Sequence, residues 1–392
     1  MSTPFRFKNA DNTTVDFEDY YVRADYFRSG NLWTWGLGTT GQLGDNTILS
    51  KSSPVQTIAW GLNWKNVACG SSHTAAIKTD GTLWIWGNNG QGRLGDNTVV
   101  DKSSPIQTIA FGTNWKQISC GQYHTAAIKT DGTLWSWGQN YLYGQVGDNT
   151  TINRSSPVQD ITFGKNWSQV SCCKDYSSAI KTDGTLWCWG NNSTGALGDN
   201  TTGNKSSPSQ TITFGTNWKQ VYAGAYHCAA VKTDGTLWCW GNNLQYGALG
   251  DNTITLRSSP VQTVAFGTNW KQVACGYNNT AAVKQDGTLW CWGYNAYGQL
   301  GDGTITHRSS PVQTVAYGKN WKQVSCGDRT TVAIKTDGTL WCWGYNYQGQ
   351  LGLNNAGGYA TSPVQTIMYG TNWKQVSCGS RVAAIQYQDD YQ

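Results

Sequence analysis

The chain has 392 residues, only 13% of them charged, and its 28 lysines and arginines exceed its 23 aspartates and glutamates by five. The basic residues are spread evenly, without a block of like charges, which argues against a nucleic-acid-binding protein. No stretch approaches the roughly 18 apolar residues of a membrane span, and the first residues lack the apolar run of a secretory signal. We therefore expect no nucleic-acid partner, no membrane insertion and no export by the ordinary secretory route.

Residues 1–26 precede the regular part of the chain and form a first region, and residues 27–392 form a second. The first region is rich in aromatic and acidic side chains. We interpret it as a short arm that docks on another protein through aromatic anchors. These anchors are Phe5, Phe7, Phe17, Tyr20 and Tyr21.

The second region is a repeat of about 51 residues, and self-similarity of this period indicates a repeat architecture. Its markers are Asp-Gly pairs, which recur in steps of 51, 52, 51, 52 and 51 residues from position 80 onward. Two tryptophans follow each pair, and a third stands in a recurring Asn-Trp pair. Each copy thus supplies three large aromatic side chains to a shared core.

One complete copy predicts four short strands, at residues 64–69, 74–78, 82–86 and 104–109. Asp80-Gly81 lies between the second and third strands, where it predicts a hairpin with a type I′ turn. Pro105 lies in the fourth strand, which suits an edge strand because proline lacks an N–H donor. Four strands per copy with no intervening helix predict the blade of a β-propeller.

The repeat begins and ends out of phase. The first recognisable strands, at residues 32–35 and 54–58, are a third and a fourth strand, whereas the chain ends with a first strand at 373–378 and a second at 382–387. The two ends should pair to complete one blade. We therefore predict an all-β fold, a seven-bladed β-propeller of four-stranded antiparallel blades that is closed by a composite blade from both chain ends.

The repeat resembles the regulator of chromosome condensation repeat family. The resemblance covers residues 27–387 and rests on a Gly-x-x-His element (Gly70 to His73), the Asp-Gly-x-Leu-Trp-x-Trp-Gly stretch and a Gly-Gln-Leu-Gly element (Gly41 to Gly44). That family includes a nucleotide-exchange factor for a small GTPase and bacterial enzyme inhibitors. Exchange activity in the family needs a β-wedge inserted in a blade and chromatin binding a basic N-terminal tail. Here the regular steps leave no room for a β-wedge and the N-terminus is acidic, so we predict neither exchange activity nor chromatin binding.

The opening of the chain is also similar to the starts of structural proteins of tailed bacteriophages of cyanobacteria. This similarity favours a non-enzymatic virion protein, assembled in the host cytoplasm, whose arm docks on other virion proteins. The propeller would then contact a host surface receptor or glycan, or decorate the particle. The alternative is an intracellular protein-binding propeller of the regulator or inhibitor type.

Several residue types that could carry chemistry recur with the repeat, which favours structural roles. His73, His124 and His227 share one position, which we expect Tyr176, Asn279, Thr330 and Val382 to fill in the other copies. The Asp of Gly-Asp-Asn-Thr lacks the alternating ligands of a calcium loop and indicates an Asx turn. The basic residues three before each proline form either ion pairs with nearby Asp or a phosphate-binding belt. We expect no catalytic set, no cofactor and no metal.

The twelve cysteines also recur in register with the repeat. Those of the first and third strands should be separated by an intervening strand, about 9–10 Å, whereas a disulfide needs Cα atoms closer than about 7 Å. The sequence therefore predicts buried free thiols that act as small apolar residues.

The copies differ mainly in the loops after their first and third strands, which lie on the same face of an up-and-down blade. Tyrosine, asparagine and serine dominate these loops, and tyrosine offers contact area at low entropic cost. We predict a recognition surface on this variable face, although neutral drift of exposed loops is the alternative. The predicted binding residues are Tyr141, Tyr143, Tyr246, Tyr294, Tyr297, Tyr345, Tyr347 and Arg329.

Overall fold

The computed structural model describes residues 6–8, 14–16, 30–59, 63–109, 112–212, 215–265, 267–315, 318–368 and 370–387, and every regular element within them is a β-strand. In the N-terminal region, β1 (Arg6–Lys8) pairs antiparallel with β2 (Thr14–Asp16). Phe7 lies in β1, and the other predicted anchors of the docking arm lie outside the described residues. The docking role stays a prediction.

The remaining strands fall into four classes by their place in a blade. The first strands are β5 (Trp64–Cys69), β9 (Trp115–Cys120), β13 (Trp167–Cys172), β17 (Trp218–Ala223), β21 (Trp270–Cys275), β25 (Trp321–Cys326) and β29 (Trp373–Cys378). The second strands are β6 (His73–Lys78), β10 (His124–Lys129), β14 (Tyr176–Lys181), β18 (His227–Lys232), β22 (Asn279–Lys284), β26 (Thr330–Lys335) and β30 (Arg381–Tyr387). The third strands are β3 (Gly30–Gly36), β7 (Leu83–Gly87), β11 (Leu134–Gly138), β15 (Leu186–Gly190), β19 (Leu237–Gly241), β23 (Leu289–Gly293) and β27 (Leu340–Tyr345). The fourth strands are β4 (Lys51–Gln56), β8 (Lys102–Gln107), β12 (Arg154–Gln159), β16 (Lys205–Gln210), β20 (Arg257–Gln262), β24 (Arg308–Gln313) and β28 (Tyr359–Gln365).

These strands form seven antiparallel blades in a closed ring, which confirms the predicted fold. Five blades are separate four-stranded sheets, and two are joined through one residue pair, Gly30 with Trp64. The predicted composite blade is present. Its central strands β30 and β3 pair from Gly36 opposite Arg381 to Gly30 opposite Tyr387; β29 flanks this pair next to β30, and β4 flanks it next to β3. All seven first strands contribute residues to the cavities at the two ends of the axis, which places the first strands around it.

The Asp-Gly hairpins are present, but the predicted type I′ turn is wrong. A type I′ turn needs positive φ at both central residues. Here Gly81 has φ +79° and Asp80 is not in the positive-φ region. The Gly81 N–H bonds the Lys78 carbonyl and the Lys78 N–H bonds the Thr82 carbonyl, a three-residue loop in which glycine takes the left-handed position. Asp80 instead accepts hydrogen bonds from the Thr82 N–H and hydroxyl.

The apolar core lies between the blades. One cluster combines Ile77, Leu83 and Ile85 of one blade with Trp115 and Trp137 of the next. Trp137 is fully buried and its ring centroid lies 6.3 Å from that of Trp115 in an edge-to-face arrangement. Burying the 150–250 Å² of one indole contributes roughly 4–6 kcal/mol, so the interfaces between blades hold most of the apolar stabilisation.

Each interface also carries a recurring buried hydrogen bond. Trp86 Nε1 donates to the carbonyl of Gln42 in the preceding blade over 3.0 Å, and the Thr74 hydroxyl donates to the same carbonyl over 2.7 Å. A Cβ at Gly44 would lie 2.6 Å from Trp86 Nε1, which explains the second glycine of the Gly-Gln-Leu-Gly element. The sevenfold set is closed by Trp35, whose Nε1 donates to the Gln350 carbonyl over 2.9 Å.

The three predicted structural histidines bridge neighbouring blades. Nε2 of His73 lies 2.9 Å from the Thr125 hydroxyl, and His124 and His227 make the same contact in later blades at 2.8 Å. In the last copy, Val382 was predicted to fill the histidine position, and this prediction is wrong. Because the loop after β29 is one residue shorter, Arg381 pairs with Gly36 as His73 pairs with Gly87. Its Nε donates to the Thr74 hydroxyl over 2.8 Å.

A second ring of contacts, at the axis, has no counterpart in the sequence-based predictions. Gln272 Nε2 donates to the Val324 carbonyl over 3.1 Å, and its Oε1 accepts from the Val324 N–H over 3.0 Å. A glutamine makes one or both of these bonds to the next first strand in six blades. These residues are Gln117, Gln169, Gln220, Gln272, Gln323 and Gln375.

The structural interpretations of the cysteines and acidic turns are confirmed. All twelve cysteines are free, and eleven of them are buried. Burial raises the pKa of the Cys172 and Cys326 thiols to about 12. Asp45 accepts hydrogen bonds from the Thr47 N–H and hydroxyl, as an Asx turn requires. All six basic residues before the prolines pair with these aspartates, at distances from 2.6 Å to 3.9 Å.

The axial ring predicts a stabilising substitution. Asn66 takes the glutamine position in β5, and among the described contacts its shorter side chain makes no bond to Ile118, the equivalent partner. Asn66→Gln should supply one or two hydrogen bonds and raise the free energy of unfolding by about 1 kcal/mol. The reverse change, Gln272→Asn, should lower it by a similar amount. Urea unfolding followed by tryptophan fluorescence measures both, and a destabilised Asn66→Gln would contradict the assigned role.

The buried histidines predict loss of stability on acidification. Burial lowers the pKa of His124 to about 3 and that of His227 to about 4, and it lowers the pKa of His73 well below 6.5. Only the unfolded chain binds these protons near pH 5. Their contribution to stability is therefore complete above about pH 6.5 and falls as pH decreases toward the folded-state values, by about 2 kcal/mol per histidine at pH 5.

His124→Asn, which copies the residue at position 279, should flatten the dependence of unfolding free energy on pH between 7 and 5. His307→Asn is the comparison variant. His307 is exposed, so its lowered pKa should contribute less to the slope than that of the fully buried His124, and this variant should flatten the slope less. Comparing each variant with the unsubstituted chain removes the contribution of other titrating groups. An unaltered slope in His124→Asn would show that this histidine is accessible to protons in the folded state.

Candidate functional site

The loops after the third strands, which carry the predicted tyrosines, are built around a buried asparagine. Asn295 Nδ2 donates to the Asp302 carboxylate over 3.1 Å and to the Thr304 carbonyl, and its Oδ1 accepts from the Leu300 N–H over 2.9 Å. Equivalent bonds occur in most other blades. The signal was present in the sequence as an asparagine two residues after six of the seven third-strand glycines. These loops therefore present their exposed side chains from a fixed base.

Five of the seven predicted tyrosines form one continuous row, which we call the tyrosine ridge. Ring centroids of Tyr246 and Tyr294 are 4.8 Å apart, and those of Tyr294 and Tyr297 are 6.2 Å apart. Tyr297 lies 5.1 Å from Tyr345, which stacks on Tyr347 at 4.9 Å. The row crosses the loops of three consecutive blades. It is an extended aromatic surface on one side of the variable face.

Two residues that the sequence reasoning missed extend the ridge. His307 stacks on Tyr294 with centroids 5.0 Å apart and contacts Tyr246 edge-on, while its Nδ1 accepts from the Asn295 N–H over 3.0 Å. Tyr359 lies 6.4 Å from Tyr297 and is 47% exposed. Burial lowers the pKa of His307, so the neutral imidazole is favoured beside the rings. Their positions depend on neighbouring loops, which explains why the repeat did not reveal them.

Arg329, the remaining predicted binding residue, contacts the ridge. Its guanidinium carbon lies 5.0 Å from the Tyr297 ring centroid and 5.8 Å from that of Tyr345, and it donates to the Tyr297 hydroxyl over 3.3 Å. Within the described part of the chain it has no acidic partner, whereas the fourth-strand arginines are paired with aspartate. Cation–π stacking holds the planar guanidinium group in place, so its outer N–H groups are available to a ligand.

A cleft of about 350 Å³ opens beside Arg329, between the blade of β25–β28 and the composite blade. Both charged and neutral polar groups face it together with aromatic rings. Its principal lining residues are Tyr277, Asp328, Arg329, Tyr345, Gln348 and Gln350. Burial raises the pKa of the half-buried Asp328 carboxyl. The cleft therefore combines an acceptor, a fixed cation and carboxamides in a small volume.

Tyr141 and Tyr143 do not join the ridge. They lie in the loop after β11, and Tyr141 is 61% exposed without a ring contact to any other described residue. A second aromatic group near the axis was not predicted: Lys174 Nζ donates to the Tyr226 hydroxyl over 2.6 Å, and that hydroxyl lies 3.0 Å from the Tyr277 hydroxyl. Each of these three residues lies in the loop after the first strand of its own blade. Recognition by Tyr141 and Tyr143 stays a prediction.

Within the described ranges, no group of three or more His, Cys, Asp or Glu side chains is placed to hold a metal ion. Nor does this part of the chain contain a helix with the length and apolar character needed to cross a bilayer.

Comparison with known proteins agrees with the sequence resemblance. The family model of the RCC1-like domain matches residues 154–390, and that of the regulator of chromosome condensation (RCC1) repeat matches residues 29–77 and 80–128. The chain is 34% identical over 325 residues to the ultraviolet-B receptor UVR8 of Arabidopsis thaliana, which covers 80% of this chain and 72% of the receptor.

Two further matches are more distant or more partial. The human E3 ubiquitin-protein ligase HERC2 is 30% identical over 265 residues, which is 64% of this chain but only 5% of the ligase. The crystal structure of Prp20p from Saccharomyces cerevisiae has the same fold, with a TM-score of 0.82 over 94% of this chain and 95% of that one at 21% identity. On the strength of the family models and the match to UVR8, the chain belongs to the regulator of chromosome condensation repeat family of β-propellers.

Proposed function

We propose that this chain is a non-enzymatic propeller that binds a partner protein through the tyrosine ridge. The observation that carries the proposal is the continuity of the ridge, in which five tyrosines and Arg329 from three blades contact one another on one side of an otherwise repetitive face. A partner without sevenfold symmetry can be recognised only by residues that break that symmetry. The ridge does so.

The relatives support a protein partner. Prp20p has described binding to Gsp1p and histones, and one of its structures holds Kap60. UVR8 is a receptor. These findings favour the alternative predicted from the sequence, an intracellular protein-binding propeller, over a virion role, which the comparisons do not support. HERC2 is named as a ligase, but this chain matches only 5% of its length, so its ligase activity is not carried over.

The ridge has the chemistry of an interface centre. Tyrosine and arginine are enriched among residues that dominate binding energy, and each tyrosine loses little entropy on binding because it has few rotatable bonds. The asparagine-based loops and the mutual stacking reduce that loss further, since the side chains are already ordered. Tyr347, which is 55% exposed, still offers most of its ring to a partner.

Alanine substitution in the ridge tests the function. Tyr297→Ala and Tyr345→Ala should each weaken partner binding about 10-fold or more, since truncation of a central aromatic anchor commonly costs at least 1–2 kcal/mol. The measurement starts with quantitative capture of proteins from an extract of the source cell by each variant. Titration calorimetry with the purified candidate partner then gives the dissociation constants.

Tyr141→Ala is the matched control, because Tyr141 occupies an equivalent exposed loop but lies apart from the ridge. It should retain the partner. All three variants should keep the unsubstituted melting temperature within about 2 °C, because Tyr141 is exposed and the half-buried Tyr297 and Tyr345 lie outside the core clusters between the blades. Equal loss of binding in Tyr141→Ala, or undiminished binding by both ridge variants, would reject the ridge as the interface.

A further inference from the structure

We propose that the cleft beside Arg329 binds a neutral mono- or disaccharide. This goes beyond a protein partner on the ridge and uses residues on the axis side of the same face. The carrying observation is that the cleft brings an unpaired carboxylate, a fixed guanidinium, two carboxamides and two phenol rings together in about 350 Å³. That volume falls at the small end of ligand sites, which span roughly 300–1,000 Å³.

Asp328 supplies the acceptor. The carboxylate is half-buried, lines both the cleft and the axial cavity, and accepts no hydrogen bond or ion pair from any described residue. Because the carboxylate lines two open cavities and no described side chain pairs with it, its oxygens are open to donors of a ligand or of water in the cleft. A carboxylate offers about four acceptor sites, and adjacent sugar hydroxyls can donate to two of them at once.

The donors are held in fixed positions. Gln350 is 4% exposed; its Nε2 donates to Gln348 Oε1 over 2.6 Å, and its Oε1 accepts from the Gln348 N–H over 3.0 Å. This fixes the carboxamide of Gln348 and leaves its N–H₂ group for a ligand. Arg329 is fixed by Tyr297, as described above. A sugar hydroxyl both donates and accepts, so one ring can satisfy Asp328 and these donors together.

The aromatic rings and the charge balance select the class of ligand. Tyr277 and Tyr345 line the cleft, and the C–H face of a pyranose packs on an aromatic side chain as an apolar group. One acid and one base line the cleft, so their charges offset each other. A phosphate or carboxylate would meet Asp328, and an amine would meet Arg329. A neutral polyhydroxylated ring satisfies both without leaving a buried charge unpaired.

Saturation-transfer NMR followed by titration calorimetry on the full chain tests the proposal. The probes are glucose, galactose, mannose, N-acetylglucosamine, maltose, cellobiose and lactose, with citrate and glucuronate as anionic comparisons. At least one should bind saturably. Asp328→Asn and Gln348→Ala should each weaken that binding about 10-fold or more, because a hydrogen bond to a charged or fixed polar group is removed. Two independent variants keep the test valid if one of them unfolds.

Gln91→Ala is the matched control, because Gln91 takes the position of Gln348 in the blade of β5–β8, outside the cleft; it should leave sugar binding unchanged. Tyr246→Ala, at the far end of the ridge, should also bind sugar normally, which separates this result from failure of the protein-binding proposal. The inference is overturned if no sugar binds saturably or if both cleft variants bind as the unsubstituted chain does. It is equally overturned if only citrate or glucuronate binds and Arg329→Gln abolishes that binding.

Discussion

The hydrogen bond from each buried third-strand indole to a carbonyl of the preceding blade supports both the ring and the loops on its variable face. Trp343 Nε1 donates to the Gln299 carbonyl over 2.9 Å, two residues after Tyr297 of the ridge. Trp292 likewise donates to the Ala248 carbonyl, two residues after Tyr246. At the closure, Trp35 bonds the Gln350 carbonyl beside the cleft. The contact that closes the propeller therefore also fixes the base of these variable-face loops, so the stability of the ring and the position of the proposed binding residues share one cause.

The cleft lies where the repeat is interrupted. In the composite blade the loop from Gly379 to Arg381 is one residue shorter than its counterparts, and Gly38 stands where other third-strand loops carry the organising asparagine. Gly379 and Ser380 line the cleft on this side. Arg381 replaces the interblade histidine by donating hydrogen bonds to the Thr74 hydroxyl and the Gly70 carbonyl. The ring therefore stays closed although the cleft opens on the variable face at this point. Joining the chain ends in one blade thus creates asymmetry that the six regular blades lack.

The structural features that recur in every copy of the repeat could be predicted from the sequence. Blade number, strand order and the composite blade follow from the period, and the free thiols follow from strand spacing, because these depend on contacts within one copy. The turn type was wrong because the Asp80 carboxylate bonds Thr82 and keeps aspartate out of the positive-φ region. The ridge was predicted only as separate tyrosines. Whether Tyr246 reaches Tyr294 depends on the rotation between blades, which no residue pattern encodes. Tyr141 illustrates this limit, since its loop is similar and its neighbours are not.

Most titratable groups of the described propeller serve the fold, which leaves few for recognition. The histidines between blades are neutral near pH 7 because burial lowers their pKa values, and the thiols are protonated because burial raises theirs. Hydrogen bonds from Thr133 lower the pKa of Asp131 in its turn, and the Asp302 carboxylate pairs with Arg308. Asp328 and Arg329 differ because neither makes an ion pair within the described part of the chain, and both line the cleft. A ligand bound at the proposed cleft site would contact both charges.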